Sequence, residues 1–390
     1  LKSKSSPNIL MVHLESVRRK SINKKTAPNL IEFAKKCIIS NHHYSPAPNT
    51  GGGMSGLLNA LASQYYFDVR KTNHQSLPLN ILGKLGYHKK FYSIIKINYE
   101  QLDKLFVNDS FDEKIYYLKD NRPDVRQKNM IIEYINELKN QKNKSKIEEP
   151  RFDYLYFDIT HYNYYFLNQD AIFKPFISRD FKISSGPRQE FKKHRHKLYN
   201  RYLNSIHYAD KLLGLLLDEL HNENRFKNTI IVITGDHGEE FWEHGNFGHT
   251  WGLNNMQIEV PLFFYTPQKF FNKYQYTQHS DIFATIFDYM KLNIPYQKFS
   301  TGKSLLQYNK NIDYVTSTIG IMGKTNRFKR VLITNGYKIF YDDKGKININ
   351  KVTDENDTIL NDKHYLHSNF HKFLPKFQIP TAQILTNANR

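Results

Sequence analysis

Cysteine is almost absent from this chain: Cys37 is the only one in 390 residues. A single thiol cannot build an intrachain disulfide framework, so cysteine usage does not report the redox compartment. No apolar run approaches the ~18 residues needed to span a bilayer. No signal-like segment opens the chain, which begins at Leu1 rather than Met. The sequence is therefore expected to be a fragment or processed form. Acidic residues are also few: 37 Asp and Glu against 56 Lys and Arg, a net charge of +19. A solvated basic surface explains that excess first, then attraction to an anionic membrane surface or steering of an anionic substrate. Helix-turn-helix, zinc-finger and RNA-binding signatures are missing, so nucleic acid is not an expected partner. There is no internal repeat.

The most informative stretch is Thr-Ile-Ile-Val-Ile-Thr-Gly-Asp-His-Gly-Glu-Glu, residues 229 to 240. The run Ile230 to Ile233 is short, β-branched and closed by Gly235, which reads as a buried strand. Such strands belong to α/β sheets covered on both faces, where ligands bind at the carboxyl ends. Asp236 and His237 fall at that end, and a carboxylate beside an imidazole suits a divalent metal. The plain alternative is that the pair caps a helix.

Three more segments join it. Pro7 to Arg18 opens with a strand and carries Glu15 at its carboxyl end. In His43 to Leu58, Thr50 stands between a proline-marked turn and an apolar helical run. In Phe247-Gly-His-Thr-Trp251, His249 follows closely behind Asp236-His237. Together, and with Val260 to Tyr265, Gln278 to Asp281 and Gly302 to Leu306, they resemble the sulfatase family of the alkaline phosphatase superfamily over roughly residues 7 to 360. True sulfatases convert a Cys or Ser within Cys/Ser-x-Pro/Ala-x-Arg into formylglycine. Cys37 lies in a helical segment without that signature, and Thr50 holds the nucleophile position. Glu15 with Thr50 resembles the phosphoethanolamine transferases and lipoteichoic acid synthases. The stretch from His43 to Leu61 also resembles the periplasmic domain of a lipopolysaccharide-regulating inner-membrane protein, which has Asp where this chain has Glu15.

The resemblance implies a metal set of Glu15, Thr50, Asp236 and His237. It also implies histidines at 161 and 249 that bind the substrate or donate a proton, with Trp251 as a further substrate contact. The chemistry asks for the same parts. A Thr hydroxyl becomes a nucleophile when a metal or base lowers its pKa. A divalent ion also polarises the ester oxygen. A helix N-terminus at Thr50 favours an anion, and Gly51 to Gly53 are expected to leave room for the ester. Helix capping by Thr50 is the ordinary alternative. One divalent ion is expected, with Zn²⁺ or Mn²⁺ ahead of Mg²⁺ or Ca²⁺ for a mixed N and O donor set. His13 and His244 read as structural, and His279 with Asp281 as a helix entry.

The expected fold is α/β: an alkaline-phosphatase-like, mostly parallel sheet sandwiched by helices, with a small antiparallel C-terminal sheet. Strands are expected near Asn8 to Leu14, Lys90 to Ile94, Tyr154 to Ile159, Thr229 to Thr234 and Val260 to Tyr265. Thr26 caps a helix at Pro28, and an amphipathic helix covers Tyr199 to Leu220. Lys139 to Lys146 reads as an exposed helix end or loop. After Gly302 come short strands with a hairpin turn at Asn335-Gly336. These divide the chain into a catalytic domain at 7–301, a small subdomain at 302–373 and a tail at 374–390. Two function classes stay open: a metal-dependent hydrolase or transferase on a phosphate or sulfate ester, and a non-catalytic, lipid-binding or regulatory domain of the same fold. The expected partners are an anionic, lipid-linked ester and an anionic membrane surface. The expected location is outside the cytoplasm, tethered by a segment absent from this chain.

Overall fold

A computed structural model describes residues 6–72, 75–141, 149–183, 188–270, 273–307, 314–320, 328–343 and 347–360. The tail at 374–390, the end of the expected subdomain beyond residue 360 and most of the Lys139 to Lys146 run lie outside the described residues.

The centre of the molecule is β1 (Asn8–Leu14), an apolar run buried along nearly its whole length. It pairs in parallel with β5 (Arg151–Phe157) on one side and β6 (Thr229–Gly235) on the other. Next to β5 lie β3 (His88–Ser93) and, at the edge, β4 (Glu113–Tyr116), both parallel. The opposite edge is β10 (Leu262–Tyr265), antiparallel to β6. Pro261 separates it from β9 (Glu259–Val260), so the single strand expected from Val260 to Tyr265 is two. Proline has no N–H to give a ladder and is tolerated where pairing breaks.

Alternation along β1 sends its residues into two cores. Leu10, Val12 and Leu14 pack with the long helix Arg195–Asn222, whereas Ile9 and Met11 pack with the helices Thr50–Asn59 and Asp281–Tyr289. A strand buried on both faces needs such a double cover. The long helix presents Leu198, Tyr202, Ile206, Ala209, Leu213, Leu216 and Leu220 on its buried face, the three-and-four spacing of an amphipathic helix. Its Asp210 also accepts hydrogen bonds from the backbone N–H groups of Asn29 (3.1 Å) and Leu30 (2.8 Å). Asn29 and Leu30 lie in the first turn of the helix Pro28–Ala34, which Thr26 was expected to cap. Instead Ala27 holds the cap position, and Asp210 satisfies the free donors from outside.

A smaller sheet, ordered β11 (Lys273–Gln278), β2 (Ile39–Tyr44), β9, leads the chain towards Thr50. A two-stranded ribbon, β7 (Glu240–Phe241) with β8 (Phe247–Gly248), follows His237. The C-terminal sheet is an antiparallel meander of β12 (Tyr314–Gly320), β13 (Phe328–Thr334), β14 (Tyr337–Asp343) and β15 (Ile347–Asp354). Its hairpin turn has Asn335 at φ 49° and Gly336 at φ 81°, the doubly left-handed turn that Asn-Gly favours. The sheet braces the segment before Thr50: Ser317 donates to the Ser45 carbonyl, and the Thr318 N–H to that of Pro46 at 2.8 Å.

Candidate active site

Beyond β1 the Glu15 N–H still reaches the Phe157 carbonyl, at 3.1 Å, so Glu15 leaves the sheet in register. The chain then turns sharply at Ser16, whose φ is 59°. Three bonds hold that turn: Thr160 Oγ1 donates to the Glu15 carbonyl (2.6 Å), Tyr202 to the Ser16 carbonyl (2.7 Å), and the Ser16 N–H to Asp236 Oδ1 (2.9 Å). Asp236 Oδ1 also accepts the His237 N–H, at 2.8 Å. One oxygen of Asp236 is thus spent on backbone, and Oδ2 is left facing the site. His237 Nδ1 lies 2.9 Å from the Gly238 carbonyl. That bond assigns a proton to Nδ1 and turns Nε2 towards the site, the orientation of a metal-binding imidazole.

Thr50 is the first residue of its helix, but it is not the cap. Asn49 caps, its side chain accepting the Gly52 N–H at 2.8 Å. The Thr50 hydroxyl is therefore free for the site. Its Oγ1 lies 3.1 Å from Glu15 Oε1 and 3.4 Å from His237 Nε2. The glycines after it do not open space for an ester as expected. A Cβ at Gly53 would sit 2.5 Å from the Asp236 carbonyl oxygen, one at Gly52 would sit 2.3 Å from Ala47 Cβ, and one at Gly51 would meet Tyr66. They let the helix lie directly against the Asp236 backbone, which brings Thr50 to the carboxyl ends of β1 and β6.

Donor atoms of the cluster come close in pairs. His237 Nε2 is 3.3 Å from both Glu15 Oε1 and Asp236 Oδ2. His13, which reads as structural from sequence, also faces this cluster, its Nε2 3.5 Å from Glu15 Oε2 and 3.3 Å from Asp236 Oδ2. The signal was available, since residues 13 and 15 of one strand share a face. Tyr156 on β5 was missed too; its hydroxyl donates to Glu15 Oε2 at 2.5 Å. Burial opposes charge on Glu15, yet the imidazoles of His13 and His237 hold its carboxyl well below the usual range. Burial likewise opposes charge on the two histidines. The Asp236 carboxylate outweighs it and lifts His13 to about 9 and His237 to about 10. A cluster of this kind holds cations, either protons or a metal in their place. Two of its buried atoms, His13 Nε2 and Asp236 Oδ2, have only each other, Glu15 and His237 to face and no further hydrogen-bond partner among the described residues. Buried polar atoms are rarely left so, and an N and O donor set fits a divalent ion.

A second group of residues stands beside this cluster. The His249 ring centroid is 4.2 Å from that of His237 and 5.5 Å from that of His161. Gly248, at φ 93°, turns the chain to place His249. Tyr162 stacks on its ring at 5.3 Å, and Glu239 Oε1 lies 3.2 Å from its Nδ1. Neither Tyr162 nor Glu239 was singled out from sequence. Burial, then the positive His237, pushes His249 down to about 3, and burial pushes Glu239 up to about 8. Trp251 is 45% exposed, and its backbone N–H is held by Gln257 Oε1 at 2.9 Å, outside the buried cluster. His244 stands away from the cluster, 3.8 Å from Asp357. His279 is buried behind the Thr50 helix against His43, their ring centroids 5.1 Å apart.

A mostly parallel sheet sandwiched by helices, with carboxylates and imidazoles gathered at its carboxyl edge, defines an alkaline-phosphatase-like protein. Within that class the chain belongs to the sulfatase family, whose family model matches residues 7–292. It is similar to the lipoteichoic acid synthase of Staphylococcus aureus, 24% identical over 265 residues, which covers 61% of this chain and 37% of that protein. An uncharacterized protein of Haemophilus influenzae is 24% identical over 343 residues, covering 87% of this chain and 49% of that one. The chain thus spans about half the length, or less, of these curated relatives. Among solved structures, the lipoteichoic acid synthase LtaP of Listeria monocytogenes superposes with a TM-score of 0.69 at 15% identity, over 99% of this chain and 93% of that one. The C-terminal periplasmic domain of EcEptC from Escherichia coli does so with a TM-score of 0.61 at 17% identity, over 85% and 94%. Among the described residues, no helix is long and apolar enough to cross a membrane.

Proposed function

We propose that this chain is a metal-dependent enzyme in which Thr50 attacks a phosphate or sulfate ester and passes the bound group to water or to a second alcohol. One observation carries the reading: Thr50 Oγ1, relieved of capping by Asn49, points between Glu15 Oε1 at 3.1 Å and His237 Nε2 at 3.4 Å. Glu15, Asp236, His237 and Thr50 would hold the divalent ion. When bound, the ion lowers the pKa of the Thr50 hydroxyl and polarises the ester oxygen. Glu15 Oε1 is the nearest acceptor for the Thr50 proton. In the first step a bond forms from Thr50 Oγ1 to phosphorus or sulfur, and the bond to the leaving alcohol oxygen breaks. That oxygen needs a proton. His249, kept neutral by burial, would offer Nε2–H to it while Nδ1 faces Glu239, whose carboxyl burial pushes up to about 8 so that it can restore what His249 gives up. His161 binds the transferred group, and Trp251 contacts the leaving part at the rim. In the second step the acceptor oxygen bonds to phosphorus or sulfur and gives its proton to His249, the bond to Thr50 Oγ1 breaks, and Thr50 takes its proton back from Glu15.

Cys37 cannot stand in as a modified nucleophile, because its half-buried thiol donates to the Phe33 carbonyl at 3.4 Å, three residues past the end of the helix Pro28–Ala34 and not within a helix as expected. The +19 charge and the lipoteichoic acid synthase relatives support a lipid-linked, anionic ester met at an acidic membrane surface outside the cytoplasm. A screen of chromogenic phosphate and sulfate esters with added Zn²⁺, Mn²⁺, Mg²⁺ or Ca²⁺ tests the proposal. Turnover should require a metal and vanish in Thr50→Ala. A folded Thr50→Ala chain with wild-type turnover would remove Thr50 from the role.

A further inference from the structure

We infer that His13 is a fifth protein ligand of the metal and that it makes the site selective for ions that bind nitrogen, Zn²⁺ or Mn²⁺, over Mg²⁺ and Ca²⁺. The inference rests on the metal-dependent reading above and adds a donor to it. It starts from β1. Its alternation puts His13 and Glu15 on one face, towards the Thr50 helix, with His13 one step below the carboxylate. The ring is fully buried and fixed. Tyr156 packs edge-on at a centroid distance of 4.5 Å, and the Tyr154 hydroxyl lies 2.7 Å from Nδ1. With one nitrogen bound to Tyr154, the other, Nε2, is aimed between Glu15 Oε2 at 3.5 Å and Asp236 Oδ2 at 3.3 Å.

His13 Nε2 and Asp236 Oδ2 face each other at 3.3 Å and have no other hydrogen-bond partner among the described residues, so a divalent ion between them takes the place of the proton they would otherwise share. Separations of 3.3–3.5 Å suit neighbouring donors that share a cation, since bonds of about 2.0–2.4 Å place such donors roughly 3 Å or a little more apart. The atoms of His13, Glu15 and Asp236 lie within 4.8 Å of one another. Glu15 then stands between two imidazoles, with Oε1 towards His237 and Thr50 and Oε2 towards His13. Two nitrogens among five donors favour Zn²⁺ or Mn²⁺, because imidazole suits transition metals while Mg²⁺ and Ca²⁺ prefer oxygen. Tyr154 is the positioning residue: its hydroxyl sets the ring's orientation, as outer partners of metal-bound histidines do.

X-ray absorption of the Zn²⁺-loaded chain, together with competition titrations of Zn²⁺ and Mg²⁺, tests this without any turnover assay. The wild-type spectrum should require two imidazoles, and His13→Gln should require one. His13→Gln should weaken Zn²⁺ by ~100-fold or more and Tyr154→Phe by ~10-fold, with Mg²⁺ affinity altered less than about threefold in both. If His13→Gln fails to fold, the imidazole count of the wild-type protein still decides. One imidazole in the wild type, or unchanged Zn²⁺ affinity in a folded His13→Gln chain, overturns the role of His13 and leaves the metal-dependent reading standing. A wild-type chain that binds no metal, and that Asp236→Asn leaves unchanged in this respect, overturns both.

Discussion

The two halves of the site are built differently. Glu15, Asp236 and His237 hang from the carboxyl ends of β1 and β6, neighbours paired in parallel from Asn8 with Thr229 to Leu14 with Gly235. Backbone bonds to Asp236 Oδ1 and the bare face of Gly53 lock them to each other and to the Thr50 helix. His161, His249 and Trp251 ride on loops instead, held by ring stacking, a left-handed Gly248 and the Glu239 contact. The cluster that holds positive charge is thus part of the sheet. The groups proposed to meet the substrate sit where loops can change without disturbing it. Substitutions in the first half should remove chemistry altogether, and those in the second should grade it.

The largest effect is expected at Asp236. Asp236→Asn keeps an acceptor for the Ser16 and His237 N–H groups but loses the charge, and kcat/KM should fall ~10³-fold or more, as befits a term of several kcal/mol. Metal analysis of the purified variant should show the ion lost in parallel. Full metal content with full activity would break the division between the halves. His249→Gln should come next, with kcat down about 10²-fold and metal content unchanged. A loss of metal in that variant would move His249 into the first half.

The pH dependence sharpens the same contrast. In the metal-free protein His13 and His237 hold protons up to about 9 and about 10, so a metal must displace them. Apparent Zn²⁺ affinity should rise with pH between 6 and 9, by up to tenfold per unit for each proton released. Their folded pKa values lie above the ordinary 6.5. The stability they lend the metal-free protein is therefore complete below about 6.5 and fades as pH climbs through 9 to 10. Flat affinity across this range, measured by competition with a chelating dye, would show that no protons are displaced. The smallest effect belongs to the surface. Binding to vesicles with acidic lipids should exceed binding to neutral ones and weaken with salt, since attraction is screened over ~8–10 Å at physiological ionic strength. Equal binding to both would remove the membrane from the proposal.

Much of this was legible in the sequence. β1 and β6 announce themselves as apolar, β-branched runs, and each ends directly in the residues that matter, Glu15 and Asp236-His237. The Asn335-Gly336 hairpin also stands where turn chemistry puts it. What stayed hidden depends on neighbours distant in the chain. Asp210 takes over the capping expected of Thr26 from some 180 residues away. The strand Ile39–Tyr44 reads Ile-Ser-Asn-His-His-Tyr and has no apolar alternation, so only its pairing with Lys273–Gln278 reveals it. The glycines after Thr50 read as space for a substrate because sequence does not show Asp236 pressed against Gly53. His13 was passed over because a histidine inside an apolar strand looks like packing until its neighbours across the sheet are known.

The most direct test of the central claim is to find the transferred group on the protein. A metal-loaded chain, acid-quenched during turnover of an activated ester and mapped by peptide mass spectrometry, should carry the phosphoryl or sulfuryl group on the peptide containing Thr50. Recovery of the group on any other side chain would contradict it.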